Sequence, residues 1–199
     1  MIITGEVSGD LIGALLIKEL KIQNPDLNIT GIGGDKMKSA GMNLIYHSDQ
    51  MAFLGFVEVL KHLPFIQQVQ KKLISVIKQE KINCVVLIDY PGFNLSIAKK
   101  LKQQGVKIIY YVSPQIWAWA KGRVKKVKKF IDKMLVVFPF EVDFYKKENV
   151  NVEYIGHPLV ERINEYEFLN KDEFFTKFNL DKGKEILLVM PGSRKQEVK

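Results

Sequence analysis

Lys107–Lys129 reads KIIYYVSPQIWAWAKGRVKKVKK, and the way this stretch divides decides the fold. Its opening run, Ile108-Ile109-Tyr110-Tyr111-Val112, is β-branched and aromatic and short enough to be a buried strand. Ser113-Pro114 ends that strand, because proline has no N–H for a ladder and biases Ser113 to extended geometry. Two indoles, Trp117 and Trp119, follow in a loop, and then a cationic run of Lys121, Arg123, Lys125, Lys126, Lys128 and Lys129. In an open α/β sheet, ligands bind in the crevice beyond the carboxyl ends of the strands. Both tryptophans fall there, beside the cationic run, and an anionic, partly apolar ligand suits the combination. The plain alternative is a core strand, two half-buried indoles and a solvated basic helix.

Working outward, Ile82–Ile88 reads as a strand covered on both faces by helices. Asp89 follows at once, ahead of Tyr90-Pro91-Gly92-Phe93-Asn94. The proline and glycine already make the turn, which leaves the Asp89 carboxylate for ligand or catalytic work; a simple turn residue is the alternative. Asn94 is expected to cap a helix over 95–104 that Gly105 closes. Downstream, Lys133–Val137 forms a strand, Pro139-Phe140-Glu141 starts a helix to Lys147, and Val152–Ile155 forms the next strand. That strand ends in Gly156-His157-Pro158, where His157 either meets ligand or packs the loop. Strands alternating with helices predict an α/β, Rossmann-like, mostly parallel sheet with helices on both faces.

At the amino terminus a short strand, residues 1–4, enters Gly5-Glu6-Val7-Ser8-Gly9-Asp10, the turn into a helix faced by Leu11, Ile12, Leu15, Leu16 and Leu20. Ser8 is the N-cap candidate and Asp10 suits the first turn. The spacing of Gly5 and Gly9 matches neither the dinucleotide fingerprint nor the P-loop. Glu6 stands at a strand's carboxyl end, within reach of a ligand. A strand at Leu27–Ile32 is expected to leave through Gly33-Gly34 at positive φ, followed by a short helix to Gly41 and a strand at Asn43–Tyr46. Over 51–66, Phe53, Phe56, Val57 and Leu60 share one helical face, but Leu54, Val59 and Leu63 are left over. Such a helix is either buried on two sides or offers an apolar surface to lipid. Pro64 opens the next helix, whose Val69, Leu73, Val76 and Ile77 form an ordinary core stripe.

Composition sets outer bounds. Apolar residues make up 47% of the 199, ample for a core, yet no run approaches the roughly 20 apolar residues of a spanning helix. Met1-Ile2-Ile3-Thr4 carries no basic leader region. Cys84, the single cysteine, reads as a buried structural thiol and fits a reducing cytoplasm. A net charge of +8 and a pI near 9.4 call for anionic partners: nucleic acid, membrane surface or phosphorylated substrate. Of the 3 histidines, His47 and His62 have no partner pattern, and no metal-ligand spacing occurs.

Residues 160–180 are polar, with one weak helix near 171–178, and read as a boundary. Glu185–Met190 is expected to begin a new strand, followed by Pro191-Gly192-Ser193-Arg194. A glycine turn, a hydroxyl and an arginine before a helix suit a phosphate, through backbone N–H groups and a bidentate guanidinium. The predicted organisation is a domain over 1–160, a linker over 161–184, and from 185 the start of a second domain of which this chain holds only a fragment.

Gly5-Glu-Val-Ser-Gly-Asp10, Ile88-Asp-Tyr-Pro-Gly-Phe-Asn94, Tyr111-Val-Ser-Pro-Gln-Ile-Trp-Ala-Trp119, Phe138-Pro-Phe-Glu141, Ile155-Gly-His-Pro158 and Pro191-Gly-Ser-Arg194 together resemble the lipid-A-disaccharide synthase family, in order and spacing along essentially the whole chain. The resemblance implies a GT-B glycosyltransferase, with an amino-terminal acceptor domain facing a carboxyl-terminal nucleotide domain. The implied reaction joins UDP-2,3-diacylglucosamine to 2,3-diacylglucosamine 1-phosphate, releasing UDP and the β-1,6-linked disaccharide of lipid A. No metal or cofactor is implied. Asp89 matches the family's important acidic position and Arg194 its important basic one; Glu6, Ser8 and Gly9 fall in the first glycine loop. The family often has a second acid where this chain has Gly92, so that position carries no assigned chemistry.

On this reading Asp89 is the first choice of general base and Glu6 the second, while Gly192, Ser193 and Arg194 receive the nucleotide phosphates. Ser8, Gly9, Asn94, Ser113, Gln115, Trp117, Trp119 and His157 are expected to contact substrate. The 51–66 face and the basic run would hold the enzyme on an anionic membrane, peripheral on the cytoplasmic side of the inner membrane of a Gram-negative-type bacterium. A homodimer of the full-length protein is compatible with this, and no nucleic acid is expected. Two other readings stay open on the residues alone. One is another GT-B enzyme, a lipid-linked N-acetylglucosaminyl transferase or a UDP-sugar epimerase. The other is a non-catalytic basic module on nucleic acid, against which strand-end carboxylates argue.

Overall fold

The computed structural model describes residues 1–51, 62–116 and 121–190. Their contacts divide the chain into two compact units, Met1–Val160 and Glu161–Lys199. The first unit is built on β1 (Ile2–Ile3), α1 (Val7–Gln23), β2 (Thr30–Gly33), α2 (Asp35–Ser39) and β3 (Asn43–His47). After a 3₁₀ turn at Ser48–Met51 come α3 (Leu63–Gln79), β4 (Cys84–Ile88), α4 (Pro91–Lys102) and β5 (Lys107–Tyr111). Its last elements are α5 (Val124–Phe130), β6 (Lys133–Val136), α6 (Pro139–Lys147) and β7 (Val152–Tyr154).

Every strand pair is parallel, and the 7-stranded sheet runs β3-β2-β1-β4-β5-β6-β7. This is an α/β, Rossmann-like sheet. Side-chain alternation sends Ile3, Val85, Leu87, Ile108 and Tyr110 to one core, where Val69, Leu73 and Ile77 of α3 and Leu95, Ala98 and Leu101 of α4 meet them. Ile2 and Ile88 point the other way, to Ile12 and Ile17 of α1 and Met37 of α2. Both faces of the central strands are therefore dry, which is why β4 and β5 read as nearly unbroken apolar runs. The stripe expected on α3 is buried as predicted, with Pro64 in its first turn.

Local details depart from the sequence reading where a tertiary contact overrides a local preference. Gly33 and Gly34 are not at positive φ; the glycine that needs its freedom is Gly31, at φ 155, inside β2. A β-carbon there would stand 1.8 Å from the carbonyl oxygen of Ile2, so glycine lets β1 and β2 pair closely. Asp10 lies in the first turn of α1, as expected, and has a second role there. It is buried, and its carboxylate accepts the backbone N–H groups of Gly34, Lys36 and Met37, so that α1 caps the start of α2. Cys84 is half-buried rather than buried, since β4 begins with it.

In the second unit, α8 (Lys171–Lys177) matches the weak helix expected there, and Asn170 and Glu173 cap it reciprocally. The preceding helix α7 (Pro158–Asn164) was not expected; its Leu159, Val160 and Ile163 share one helical face, and all three are exposed. The strand expected at Glu185–Met190 is not formed: these residues have no regular structure, and Leu187 is 88% exposed. An isolated strand has no partner for its N–H and C=O groups, so an apolar β-branched run is not enough to make one.

Candidate active site at the sheet reversal

Strand order reverses between β1 and β4, and such a switch point opens a crevice beyond the carboxyl ends of the two strands. Ile3 of β1 is in register with Leu87 of β4. The chain continues from β1 into Thr4-Gly5-Glu6 and from β4 into Asp89-Tyr90, so the topology brings the two candidate carboxylate residues to one place. Glu6 is half-buried and is the extended residue preceding α1, at φ −129 and ψ 153. It, and not Ser8, is the N-cap residue, and it makes no side-chain cap bond. Ser8 lies within the first turn, exposed. Gly9 is buried against Thr4, where a β-carbon would meet the threonine Oγ1 at 1.9 Å.

Asp89 and Tyr90 both lie in the left-handed region, at φ 43 and 46, and Val112, at the end of the neighbouring β5, lies at φ 64. Residues without a glycine's freedom cost of order 1–3 kcal/mol each in sparsely populated conformations and persist only where surroundings hold them. Here Asp89 N–H donates to the Tyr111 carbonyl at 3.3 Å, and Val112 N–H to that of Leu135 at 3.1 Å. The strained corners of β4 and β5 stand side by side at the carboxyl edge.

Tyr90 is the functional candidate that sequence reasoning missed. Its ring lies across Gly5, where a β-carbon would stand 2.5 Å from Tyr90 Cε1; the glycine makes room for it. The hydroxyl donates to the Met51 carbonyl at 2.7 Å, and the ring stacks on Phe93 at 5.8 Å. Burial, helped by the negative charge of Glu6, pushes the phenol up to about 12. The tyrosine therefore stays protonated at neutral pH and closes one side of the crevice beside Glu6. No sequence pattern marks it; only the pairing of β1 with β4 brings it to Gly5.

The family model described as lipid-A-disaccharide synthetase matches residues 1–199. The chain belongs to the lipid-A-disaccharide synthetase family. Among curated relatives, the lipid-A-disaccharide synthase of Coxiella burnetii (strain Dugway 5J108-111) is 45% identical over 198 residues, covering 100% of this chain and 52% of its own length. That of Trichlorobacter lovleyi is 44% identical, with 100% of this chain and 51% of its own length covered. That of Koribacter versatilis is 42% identical over 199 residues, with 100% and 52% covered. The chain spans about half the length of the curated relatives it matches. A match of this extent favours neither another GT-B enzyme nor a nucleic-acid module.

Several other predicted residues of this family member fall along the same carboxyl edge. Asn94 lies in the first turn of α4, which begins at Pro91, so it does not cap a helix starting at 95. It is fully buried, and its amide serves the backbone of Ile88 and Asp89. Ser113 is also buried, its hydroxyl 2.7 Å from Tyr145 Oη, and Gln115 is exposed. Burial raises the Tyr145 hydroxyl well beyond the ordinary tyrosine range, against the opposing bond from Ser113.

His157, after β7, accepts the Leu159 N–H at Nδ1 and packs against Phe138, ring centres 5.6 Å apart. Phe138 also stacks on Phe140 at 5.7 Å, and both phenylalanines are exposed. Trp117, Trp119, Gly192, Ser193 and Arg194 lie outside the described residues, as does most of the 51–66 apolar segment. Among the described residues no group of His, Cys, Asp and Glu comes together as metal ligands would, and no helix is long and apolar enough to cross a membrane.

Proposed function

We propose that this chain supplies the acceptor-binding part of a GT-B glycosyltransferase that makes the lipid A disaccharide. The reaction joins the diacylglucosamine of its UDP derivative to diacylglucosamine 1-phosphate and releases UDP. The observation that carries the reading is the pairing of β1 with β4 at the reversal, which puts Glu6 and Asp89 after neighbouring strand ends, in a chain that the family model matches throughout. An acceptor hydroxyl loses its proton as it attacks the anomeric carbon, and a carboxylate at the crevice takes that proton. Asp89 is the base in this scheme, with Glu6 the second candidate. Departing UDP gains negative charge, which Arg194, Ser193 and the backbone at Gly192 stabilise. Ser8, Gly9, Gln115, Trp117, Trp119 and His157 remain the proposed acceptor contacts.

The test is a paired assay with both acylated substrates and calorimetric titration with UDP, on the full-length gene product and on residues 1–199 alone. Glycosyl transfer needs donor and acceptor held together, and proximity of that kind lowers barriers by roughly 7–11 kcal/mol. The full-length product is expected to make disaccharide; residues 1–199 are expected to make none and to bind UDP weakly. Disaccharide synthesis by residues 1–199 would place the whole catalytic site within them. Absence of synthesis by the full-length product would remove the proposed reaction.

The same reading places the enzyme on the cytoplasmic face of an anionic inner membrane. Along α5, Val124 and Val127 are buried while Lys125, Lys126, Lys128 and Lys129 are exposed, so one helix turns its apolar side in and a row of ammonium groups out. Each basic residue near an anionic bilayer contributes about 1 kcal/mol, screened by salt. Replacing these four lysines by glutamine is expected to weaken binding to phosphatidylglycerol vesicles by at least ~10-fold and to flatten its salt dependence. Unchanged affinity and salt slope in a vesicle sedimentation assay would mean that α5 is only a solvated face.

A further inference from the structure

The turn that carries Asp89 is held from beneath by two side chains that the proposed chemistry does not use. The Asp89 carbonyl oxygen accepts the Tyr110 hydroxyl at 2.5 Å and the Asn94 amide Nδ2 at 2.7 Å. The same amide donates to the Ile88 carbonyl at 3.2 Å, and Asn94 N–H returns to Tyr90 O at 3.1 Å. Tyr110 and Asn94 are both 0% exposed, so no ligand in the crevice reaches either without opening the core.

We propose that Tyr110 and Asn94 are positioning residues for Asp89, a two-donor clamp on its backbone carbonyl that keeps the residue left-handed and so fixes where its carboxylate stands. The proposal rests on Asp89 being the base. Relaxing Asp89 or Tyr90 to an ordinary negative φ would rotate the peptide unit between them and swing its carbonyl away from both donors. The donors do not follow, because each belongs to a rigid element. Tyr110 is within β5, in register with Leu87 of β4, and Asn94 is within α4. Strand and helix thus hold the peptide from two directions.

Two further observations support the clamp. Burial, and after it the nearby Asp89 charge, raises the Tyr110 phenol well above its ordinary range, so its proton is always present to donate. Asn94 meanwhile leaves its own Oδ1 buried without a hydrogen-bond partner. A buried acceptor without a donor is a standing penalty, tolerated here where the amide's two hydrogens go to the backbone of Ile88 and Asp89.

The experiment is a double-mutant cycle in the full-length gene product: Tyr110→Phe and Asn94→Ser, each alone and combined with Asp89→Asn. Each single change is expected to lower kcat about 10-fold with KM held within about twofold, the pattern of a group acting only at the transition state. On the Asp89→Asn background, each is expected to cost less than about twofold more, because the carboxylate it positions is already gone. Thermal melts confirm that each variant is folded at the assay temperature. An unchanged kcat overturns the clamp. So does a loss that multiplies in full onto Asp89→Asn, which would signify general loosening of the fold. A raised KM at intact kcat would return Asn94 to the ligand contacts. Tyr110→Phe removes a single oxygen and decides the matter even if Asn94→Ser does not fold. Full activity of Asp89→Asn alone would overturn both the base and its clamp, while full activity of Tyr110→Phe beside an impaired Asp89→Asn overturns only the clamp.

Discussion

Asp89→Asn in the full-length gene product is expected to lower disaccharide synthesis at least ~10²-fold, the usual floor for losing general-base help. Asparagine is the informative replacement because of the backbone. Asp89 sits at φ 43, and asparagine is among the residues that tolerate the left-handed region, so the turn survives while the basic oxygen becomes an amide. KM for both acylated substrates is expected to stay near its original value, since an isosteric side chain preserves the shape of the crevice. The contrast with alanine at the same position separates chemistry from geometry: alanine removes both. Steady-state kinetics at saturating donor read the effect. Turnover within a factor of about three of the parent, far short of general-base loss, would shift the proton transfer to Glu6.

Gly31→Ala is expected to give the largest loss of stability of any single methyl added to the described residues. The added β-carbon would stand 1.8 Å from the Ile2 carbonyl oxygen, and that atom belongs to the backbone, so no side-chain rotation relieves the clash. The strands must separate, or Gly31 must leave φ 155, and either change breaks the pairing of β2 with β1 at Ile2 and Gly31. Losses of more than about 4 kcal/mol are exceptional and belong to mechanisms of this kind. For a chain of this size that corresponds to a fall in Tm of roughly 8–16 °C. Calorimetry of the purified variant reads it. A fall of less than about 3 °C would mean that β1 and β2 are not packed as closely as described. Gly92→Ala is the matched control, because nothing lies within 4 Å of a β-carbon there.

How far the sequence could be read follows from the range of the interaction involved. The central strands were legible because burial on both faces leaves a local mark, the apolar runs ending at Ile88 and Val112. The stripe of α3 is as local a mark, left by one buried face, and Pro139 marks the start of α6 by its fixed φ. Asp89 and Glu6 could be singled out because each directly follows a strand. What could not be read depends on partners far along the chain. Ser8 looks a better cap than Glu6 until the exit of β1 sets where α1 begins. Asp10 is the first-turn acid it looks like, but its three donors, Gly34, Lys36 and Met37, could not be read locally. Asn94 looks like a cap facing the crevice, yet its amide turns inward to the strand end. Tyr110 reads as a residue of a buried strand, but nothing local ties it or Tyr90 to the turn at Asp89. Glu185–Met190 shows the opposite failure, a strand-like sequence without a neighbouring strand to pair with.

The place of β1 in the sheet also bears on how the chain comes to be folded. β1 is only Ile2–Ile3, yet it is flanked on both sides, by β2 at Gly31 and Ile32 and by β4 at Val86 and Leu87. During vectorial synthesis the first pairing is available early, whereas the second waits until residue 88 has left the ribosome. Until then β1, β2 and β3 present an open edge whose N–H and C=O groups have no neighbour, next to apolar side chains from Ile2 and Ile3. Pairings between residues so far apart in sequence raise the contact order and slow closure of the sheet. In the finished sheet, the pairing of β4 with β1 both covers that edge and assembles the crevice.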